Sequence, residues 1–382
     1  MLHSTIYGGV EALQGASQHQ LLELLCLARR CQVAAAAEAA EQLLAAIPAE
    51  QLEWEVVEEV FAFVTGAQQS RPAPEALLES AGARLQHELG DLDAAMQDEQ
   101  ARRRLMALPL PMLCVLLCDP RTRASCEATA LAVASAWFAD PAAAQQRERP
   151  GVREQQVAAL AECVRFGRLQ PAVLAAVAPR TEWVAAVISQ QQLLDLTAFA
   201  TGGSRQQGQQ LRAGGGLVAA HPQWFLPPRP SSAVEWAALS LEVPGAEARA
   251  AVARARATGQ AESLEGRGLA FFRGFWWHPE LEVTPTRTGV RYDLRLGITS
   301  GGLFEPHASQ RVACRVMVVE GSGEAGLSTR SRGALVAVDG GWGWRDCWGL
   351  GSAQKEWDAD AFRAKGLMKG RSMCVKVVIK AA

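Results

Sequence analysis

The chain has 382 residues, of which 49% are apolar and 20% charged, enough for two folded domains rather than a disordered polymer. A net charge of −2, spread over both signs, gives no field for gripping phosphate backbones and argues against a nucleic-acid binder. The start, Met1-Leu2-His3-Ser4-Thr5, has no basic-then-apolar leader, and the longest apolar stretch, Leu105 to Cys118, is too short for a membrane span and broken by Pro109 and Pro111.

Residues 17–140 read as successive amphipathic helices. Ser17 and Gln20 make a capping box, after which Leu21, Leu24, Leu25 and Ala28 recur at helical spacing. A helix over about 35–47 carries Leu43, Leu44 and Ile47 and stops at Pro48. Val56, Val57, Val60, Phe61 and Val64 mark the next, ending near Gly66, and another follows Ser70–Pro74 over about 75–90. The prolines within Arg104–Cys118 predict a bent pair of short helices. Ser125 and Glu127 open a helix ending on Trp137 and Phe138; 152–166 is helical, and Pro171 sits in the first turn of another. Antiparallel helix pairs are the expected packing.

After residue 200 the pattern changes. Residues 202–216 are rich in Gly, Gln and Ser and 222–232 in Pro, so 201–232 is expected to be a linker or long loop. From Ala233 the period becomes two, in Leu281–Val283, Tyr292–Ile298, Val312–Val318 and Met373–Ile379, with Ala246–Thr258 as an intervening helix or arginine-rich loop. Short alternating strands between Gly-containing turns predict an antiparallel β-sandwich over 233–382. The fold class expected is therefore α+β in two domains, with an all-α amino-terminal part. No internal repeat stands out.

Chemical motifs are sparse. Gly366-Leu-Met-Lys-Gly370-Arg-Ser lacks phosphate-loop spacing, and Gly321-Ser322-Gly323 lacks that of a nucleophile elbow. His3, His19, His87, His221, His278 and His307 are dispersed, none at i,i+4 with another, and His307 beside Glu305 reads as a solvated loop pair. The nine cysteines form no Cys-x-x-Cys pair. Cys114 with Cys118, and Cys26 with Cys31, read as small hydrophobes in a reducing compartment, so the expected location is cytoplasm or nucleus. Nearly all positive charge is arginine; the lysines are Lys355, Lys365, Lys369, Lys376 and Lys380, a pattern read as composition bias. No catalytic, metal or cofactor residue is expected, and an enzyme with scattered site residues in the β part is the reading in another class. Aromatic density is the unusual feature: Trp276-Trp277, then Trp342-Gly343-Trp344, with Trp348 and Trp357 nearby. Trp is mostly buried, but it also anchors interfaces.

The order of these segments resembles a known arrangement. Ile6-Tyr7-Gly8-Gly9-Val10, Leu21–Cys31 and the helix ending Leu43-Leu44 look like the last strand and final helices of a BTB/POZ domain. Leu105–Leu117, then Ala124-Ser125-Cys126-Glu127 with Trp137, then Val164-Arg165-Phe166 with Leu174, is similar to a BACK domain, with Cys126 inserted between the family's Ser and Glu. Gly343–Leu350, Gly366-Leu367 and Val375–Ile379 resemble the TRAF/MATH-like sandwich of plant light-response BTB-BACK proteins. The resemblance implies a BTB remnant at 1–50, a BACK-like domain at 51–200 and the sandwich at 233–382. It also implies a non-catalytic substrate-binding adaptor or regulatory scaffold for a cullin-type ubiquitin ligase. The alternative within binding proteins is a helical interaction module with no ligase link.

On that resemblance a cullin would be met through helices 51–66 and 75–90, and a protein substrate through Trp342, Trp344 and Arg345. An upstream tyrosine of the peptide trough falls on Ala334. About seventy BTB residues that would precede Ile6, including the dimer surface, are missing from the sequence, so dimerisation is not expected. Leu21, Leu24, Leu25 and Cys31 would normally pack on strands of that portion. They are therefore expected to form an exposed apolar patch or to dock elsewhere on the helical domain.

Overall fold

A computed structural model describes residues 13, 15–65, 75–140, 152–202, 216–266, 268–299, 312–319, 327–328, 334–336, 342–344, 360, 362, 367–369 and 371–381. The expected strand Ile6–Val10, the Glu305/His307 pair, Trp348 and Trp357 lie outside the described residues. The architecture is mixed: helices fill the amino-terminal part and antiparallel sheets the carboxy-terminal part, consistent with α+β. By contact the chain divides into two compact units, residues 1–91 with 103–122, and residues 92–102 with 123–382. No helix among the described residues is long and apolar enough to cross a membrane.

The first unit holds α1 (Gln18–Arg30), α2 (Ala34–Ala45), α3 (Trp54–Thr65), α4 (Glu75–Leu89) and, after a segment belonging to the other unit, α7 (Leu110–Cys118). The Ser17–Gln20 capping box is formed: the Ser17 hydroxyl accepts from the Gln20 amide at 3.2 Å, and the Ser17 amide donates to Gln20 Oε1 at 3.0 Å. At the other end of α1, Gln32 adopts φ +60°, and the Val33 amide reaches back to the Ala28 carbonyl at 2.8 Å. This left-handed cap turns the chain directly into α2. α2 offers Ala36, Ala39 and Ala40 to the interior, small residues that let it approach α1 closely. Leu21, Leu24 and Leu25 are fully buried, so of the two outcomes expected for them it is docking among helices that is realised; Cys31 stays exposed. α3 buries Val56, Val57, Val60 and Phe61, and α7 buries Met112, Leu113, Leu116 and Leu117. The burials on α1 and α3 follow the spacing read from the sequence, and Arg104–Cys118 is divided between α6 (Glu99–Ala107) and α7.

The second unit contains α5 (Leu92–Gln97) and α8 (Glu127–Ala139), with α6 (Glu99–Ala107) crossing the boundary between the units. It continues through α9 (Val152–Cys163), α10 (Pro171–Ala176), α11 (Glu182–Val187), α12 (Gln190–Ala200) and α13 (Leu217–Ala220). α8 is buried on nearly every side, from Glu127 to Phe138, as expected of a helix rich in Ala, Leu, Val and Trp around its whole circumference. Ser125 is not its cap. Cys126 takes that position, and the Ser125 hydroxyl is committed to Asp93.

Residues 216–232 depart from the expected linker; residues 203–215 lie outside the described residues. Trp224 is 1% exposed and its indole N–H donates to the Ala161 carbonyl at 2.9 Å, while Arg168 Nε donates to the Leu226 carbonyl at 2.8 Å and the Ala124 amide to the Pro230 carbonyl at 3.0 Å. Proline density marks extended backbone, but here extended backbone runs as a strap tied to helices, its polar groups paired rather than solvated.

The strands are β1 (Trp236–Pro244), β2 (Glu262–Glu265), β3 (Ala270–Phe272), β4 (Phe275–Pro285), β5 (Val290–Thr299), β6 (Val312–Val319), β7 (Leu327–Ser328), β8 (Ala334–Val336), β9 (Trp342–Trp344), β10 (Met368–Lys369) and β11 (Ser372–Ala381). α14 (Gly245–Thr258) resolves the helix-or-loop alternative as a helix, ended by Gly259 at φ +71°. One sheet has the order β1-β11-β6-β7, with β10 beside β11 and β8 beside β6; the other has β2-β4-β5-β9, with β3 beside β4. β1 alternates exposed and buried along its length, as a half-buried strand should.

Candidate protein-interaction sites

In the first unit an open groove of about 450 Å³ runs along α1 and α3, lined by Leu22, Glu23, Cys26, Leu27 and Arg30 on one side and Glu59 and Ala62 on the other. The spacing of the α1 residues, i, i+1, i+4, i+5, i+8, puts them on one flank of the helix. Leu27 is 46% exposed, an apolar side chain open to water at the groove. The groove's apolar lining, Leu22, Cys26, Leu27 and Ala62, is edged by Glu59 on α3 and by Glu23 and Arg30 on α1. His19 stands between Glu53 and Glu59, at 3.6 and 3.5 Å. Burial pushes the Cys26 thiol up, and the Glu59 and Glu23 carboxylates add to this against Arg29, so its thiolate is disfavoured and the side chain acts as an apolar lining group. The helix expected over 51–66 thus forms one wall of the groove. The helix expected over 75–90 is α4, which packs its Leu77, Ala81, Leu85 and Leu89 inward.

Of the expected substrate-contact residues, Arg345 lies outside the described residues. Trp342 and Trp344 are in β9, registered against Leu296 and Leu294 of β5 with Gly343 opposite Arg295. Residues directly opposite one another in an antiparallel pair share a sheet face. Leu294 and Leu296 are both buried, so positions 342 and 344 belong to the core-side face. Ala334 is in β8, paired with Cys314 of β6, in the other sheet. The positions of the expected trough are therefore divided between two sheets.

Polar clusters that the sequence did not reveal are concentrated in the second unit. Asp93, on α5, is fully buried and accepts four hydrogen bonds: from the Ser125 amide (2.6 Å) and hydroxyl (2.8 Å), the Thr129 hydroxyl (3.1 Å) and the Arg273 amide (3.2 Å). Burial raises its carboxyl above the ordinary value, with the Ser125, Thr129 and Arg273 donors opposing the rise. Arg273 and Gly274 form the two-residue β3–β4 turn at φ +54° and +85°, a left-handed pair suited to a tight hairpin. The tip presses on the first turn of α8, where a Cβ on Gly274 would meet the Ala128 carbonyl carbon at 2.6 Å. Cys126 donates to the Arg273 carbonyl at 3.4 Å, and Gln97 to that of Phe271 at 2.8 Å. Burial, reinforced by Asp93, pushes the Cys126 thiol up. These bonds hold the hairpin tip against the first turn of α8.

A second cluster centres on Glu127, buried with Arg229 of the strap. Arg229 Nε and Nη2 donate to the two carboxylate oxygens at 3.0 and 3.1 Å; Nη2 also donates to the Cys163 carbonyl at 3.0 Å, and the Arg165 amide to Glu127 Oε1 at 2.9 Å. His221 stacks on Trp224 with centroids 3.8 Å apart and meets Glu162 at 2.9 Å. On β4, His278 Nε2 lies 2.6 Å from Glu280 and holds that carboxyl below its ordinary range against the opposing effect of burial. The only sequence signal for this last pair is its i,i+2 spacing in an alternating strand. Glu127–Arg229 and Asp93–Arg273 span 102 and 180 positions and left none. Among the described residues no group of three or more His, Cys, Asp or Glu is placed to hold a metal ion.

No protein-family model matches this sequence, and neither does any curated protein.

Proposed function

We propose that this chain is a non-catalytic adaptor or regulatory scaffold for a cullin-type ubiquitin ligase, built as BTB-BACK-like helices followed by a TRAF/MATH-like β-sandwich and working in the cytoplasm or nucleus. It would act by proximity, one surface holding a target and another the ligase, so that effective concentration takes the place of chemistry. The observation that carries the reading is the α1–α3 groove, an apolar lining edged by Glu59 on the helix to which the resemblance assigns the ligase contact. Its occupant in this proposal is an apolar anchor on a cullin helix flanked by basic residues. The sandwich reading is supported by the approach of β1 to the other sheet: a Cβ on Gly266 would lie 3.0 Å from Leu241 Cδ1 and 2.8 Å from the Pro279 ring.

Calorimetry of the full chain with the amino-terminal helical repeats of a cullin tests the proposal. A small groove predicts weak binding, with Kd of about 10–100 μM. The substitutions Leu27→Glu and Ala62→Glu should abolish it without lowering the melting temperature. Submicromolar binding that ignores both substitutions would move the contact elsewhere, and absence of binding at millimolar concentration would remove the ligase link.

A further inference from the structure

Five large apolar side chains are exposed among the described residues, and of these Leu27 on α1 is the one that opens on the groove. Glu23, one turn before it, and Arg30, one turn after, are exposed on the same face of the helix. Neighbouring charges are engaged within the chain: Arg29 with Glu41 at 3.5 Å, and Glu59 with His19 at 3.5 Å. Glu23 and Arg30 make no ion pair among the described residues. They stand two turns apart, about 10 Å along the axis, beyond the spacing at which neighbours on one helix pair. Along the outward face of α1 the order is therefore carboxylate, apolar pair, guanidinium, the pair being Cys26 and Leu27.

That order is complementary to its own reverse. Two copies of α1 laid antiparallel about a twofold axis between positions 26 and 27 place Glu23 of each opposite Arg30 of the other. The same axis places Leu27 of each opposite Cys26 of the other. We propose that this face of α1, with the groove beside it, is where two copies of this chain associate. Leu22, Cys26 and Ala62 supply the apolar walls that receive Leu27 of the second copy, and two Glu–Arg pairs close the rim. A net charge of −2 per chain leaves little general repulsion between copies. The surface is distinct from the dimer surface that the BTB resemblance places before Ile6. Self-association would cover the groove and so regulate the ligase contact. That consequence rests on the adaptor reading, whereas the association itself rests on α1 and its groove alone.

The test is sedimentation equilibrium of the full chain up to about 1 mM, since a contact of one helix per copy predicts a Kd of about 100 μM. The mass should rise with concentration from 40.9 kDa toward twice that value, less so at about 0.5 M salt than at about 0.05 M. Glu23→Arg and Arg30→Glu should each weaken association by about tenfold or more, because each sets like charges opposite one another twice. An equimolar mixture of the two variants should regain it, because each like-charged face then meets its opposite; recovery also shows that both variants are folded. If either reversal lowers the melting temperature, Glu23→Gln and Arg30→Gln should weaken association to a smaller degree in an intact fold. A mass that stays at 40.9 kDa up to about 1 mM, association that no substitution weakens, or a mixture of folded variants that fails to recover would overturn the proposal. Cullin binding by a chain that remains monomeric would overturn it too and give the groove to the cullin. Association without cullin binding counts against the adaptor reading alone.

Discussion

The two helical regions of this molecule are held together by different means. In the first unit, α1, α2, α3 and α7 bury leucines, valines and alanines at helical spacing, and ion pairs such as His19 with Glu53 and Glu59, and Arg104 of α6 with Glu88 of α4 at 3.1 Å, keep contact with water. In the second unit the apolar core is joined by polar groups taken out of water: Asp93 beneath a hairpin tip, Glu127 against Arg229, and Trp224 through its indole N–H. The difference teaches that a contact's value depends on what its partner loses when it is removed. A half-exposed carboxylate returns to water, whereas a buried one is stranded.

The sharpest way to break the comparison is at Arg229. Arg229→Met leaves the Glu127 carboxylate buried without its charge partner, and a loss of about 3–5 kcal/mol is expected in urea unfolding. Replacing both members, Glu127→Leu with Arg229→Met, should cost less than the single change, because no charge is then stranded. A single substitution that costs under about 1 kcal/mol would show that the strap is not anchored there.

Asp93 sharpens the comparison through pH. Its folded-state value is raised above the ordinary 3.8, so the folded chain holds the proton more tightly than the unfolded one. The stability from this linkage is fully present below the ordinary value and is lost as pH rises through the raised one. The stability difference between the unsubstituted chain and Asp93→Asn should therefore move against the former as pH rises from about 4. A difference that is flat with pH would mean that the four donors match the effect of burial, and one that moves the other way that they outweigh it. The smallest effect belongs to the first unit: His19→Ala should change stability by about 0–1 kcal/mol, and any change should shrink in high salt.

The same contrast explains what was legible in the sequence. The leucines of α1, the valines of α3, the capping box at Ser17 and the alternating strands β4, β5 and β11 follow local periods of 3.6 or 2, which a reader can count. The strap did not, because proline and glycine report extended backbone whether or not something pairs with it; Arg229 and Trp224 reveal their role only once α8 and α9 are beside them. Ser125 was legible as a cap because Ser commonly is one, yet the Asp93 carboxylate, 32 positions away, takes its hydroxyl. The groove follows from spacing on α1, but its second wall needs the packing of α3. Positions 342 and 344 were legible as sharing a face; that they stand opposite Leu296 and Leu294 required the register of β9 with β5.

The most direct test of the adaptor account is hydrogen exchange of the full chain with and without the cullin amino-terminal repeats. The account predicts added protection confined to Gln18–Arg30 and Trp54–Thr65, the helices that wall the groove, with Phe275–Pro285 and Val290–Thr299 unchanged. Protection that appears in those strands while α1 and α3 exchange as before would contradict it.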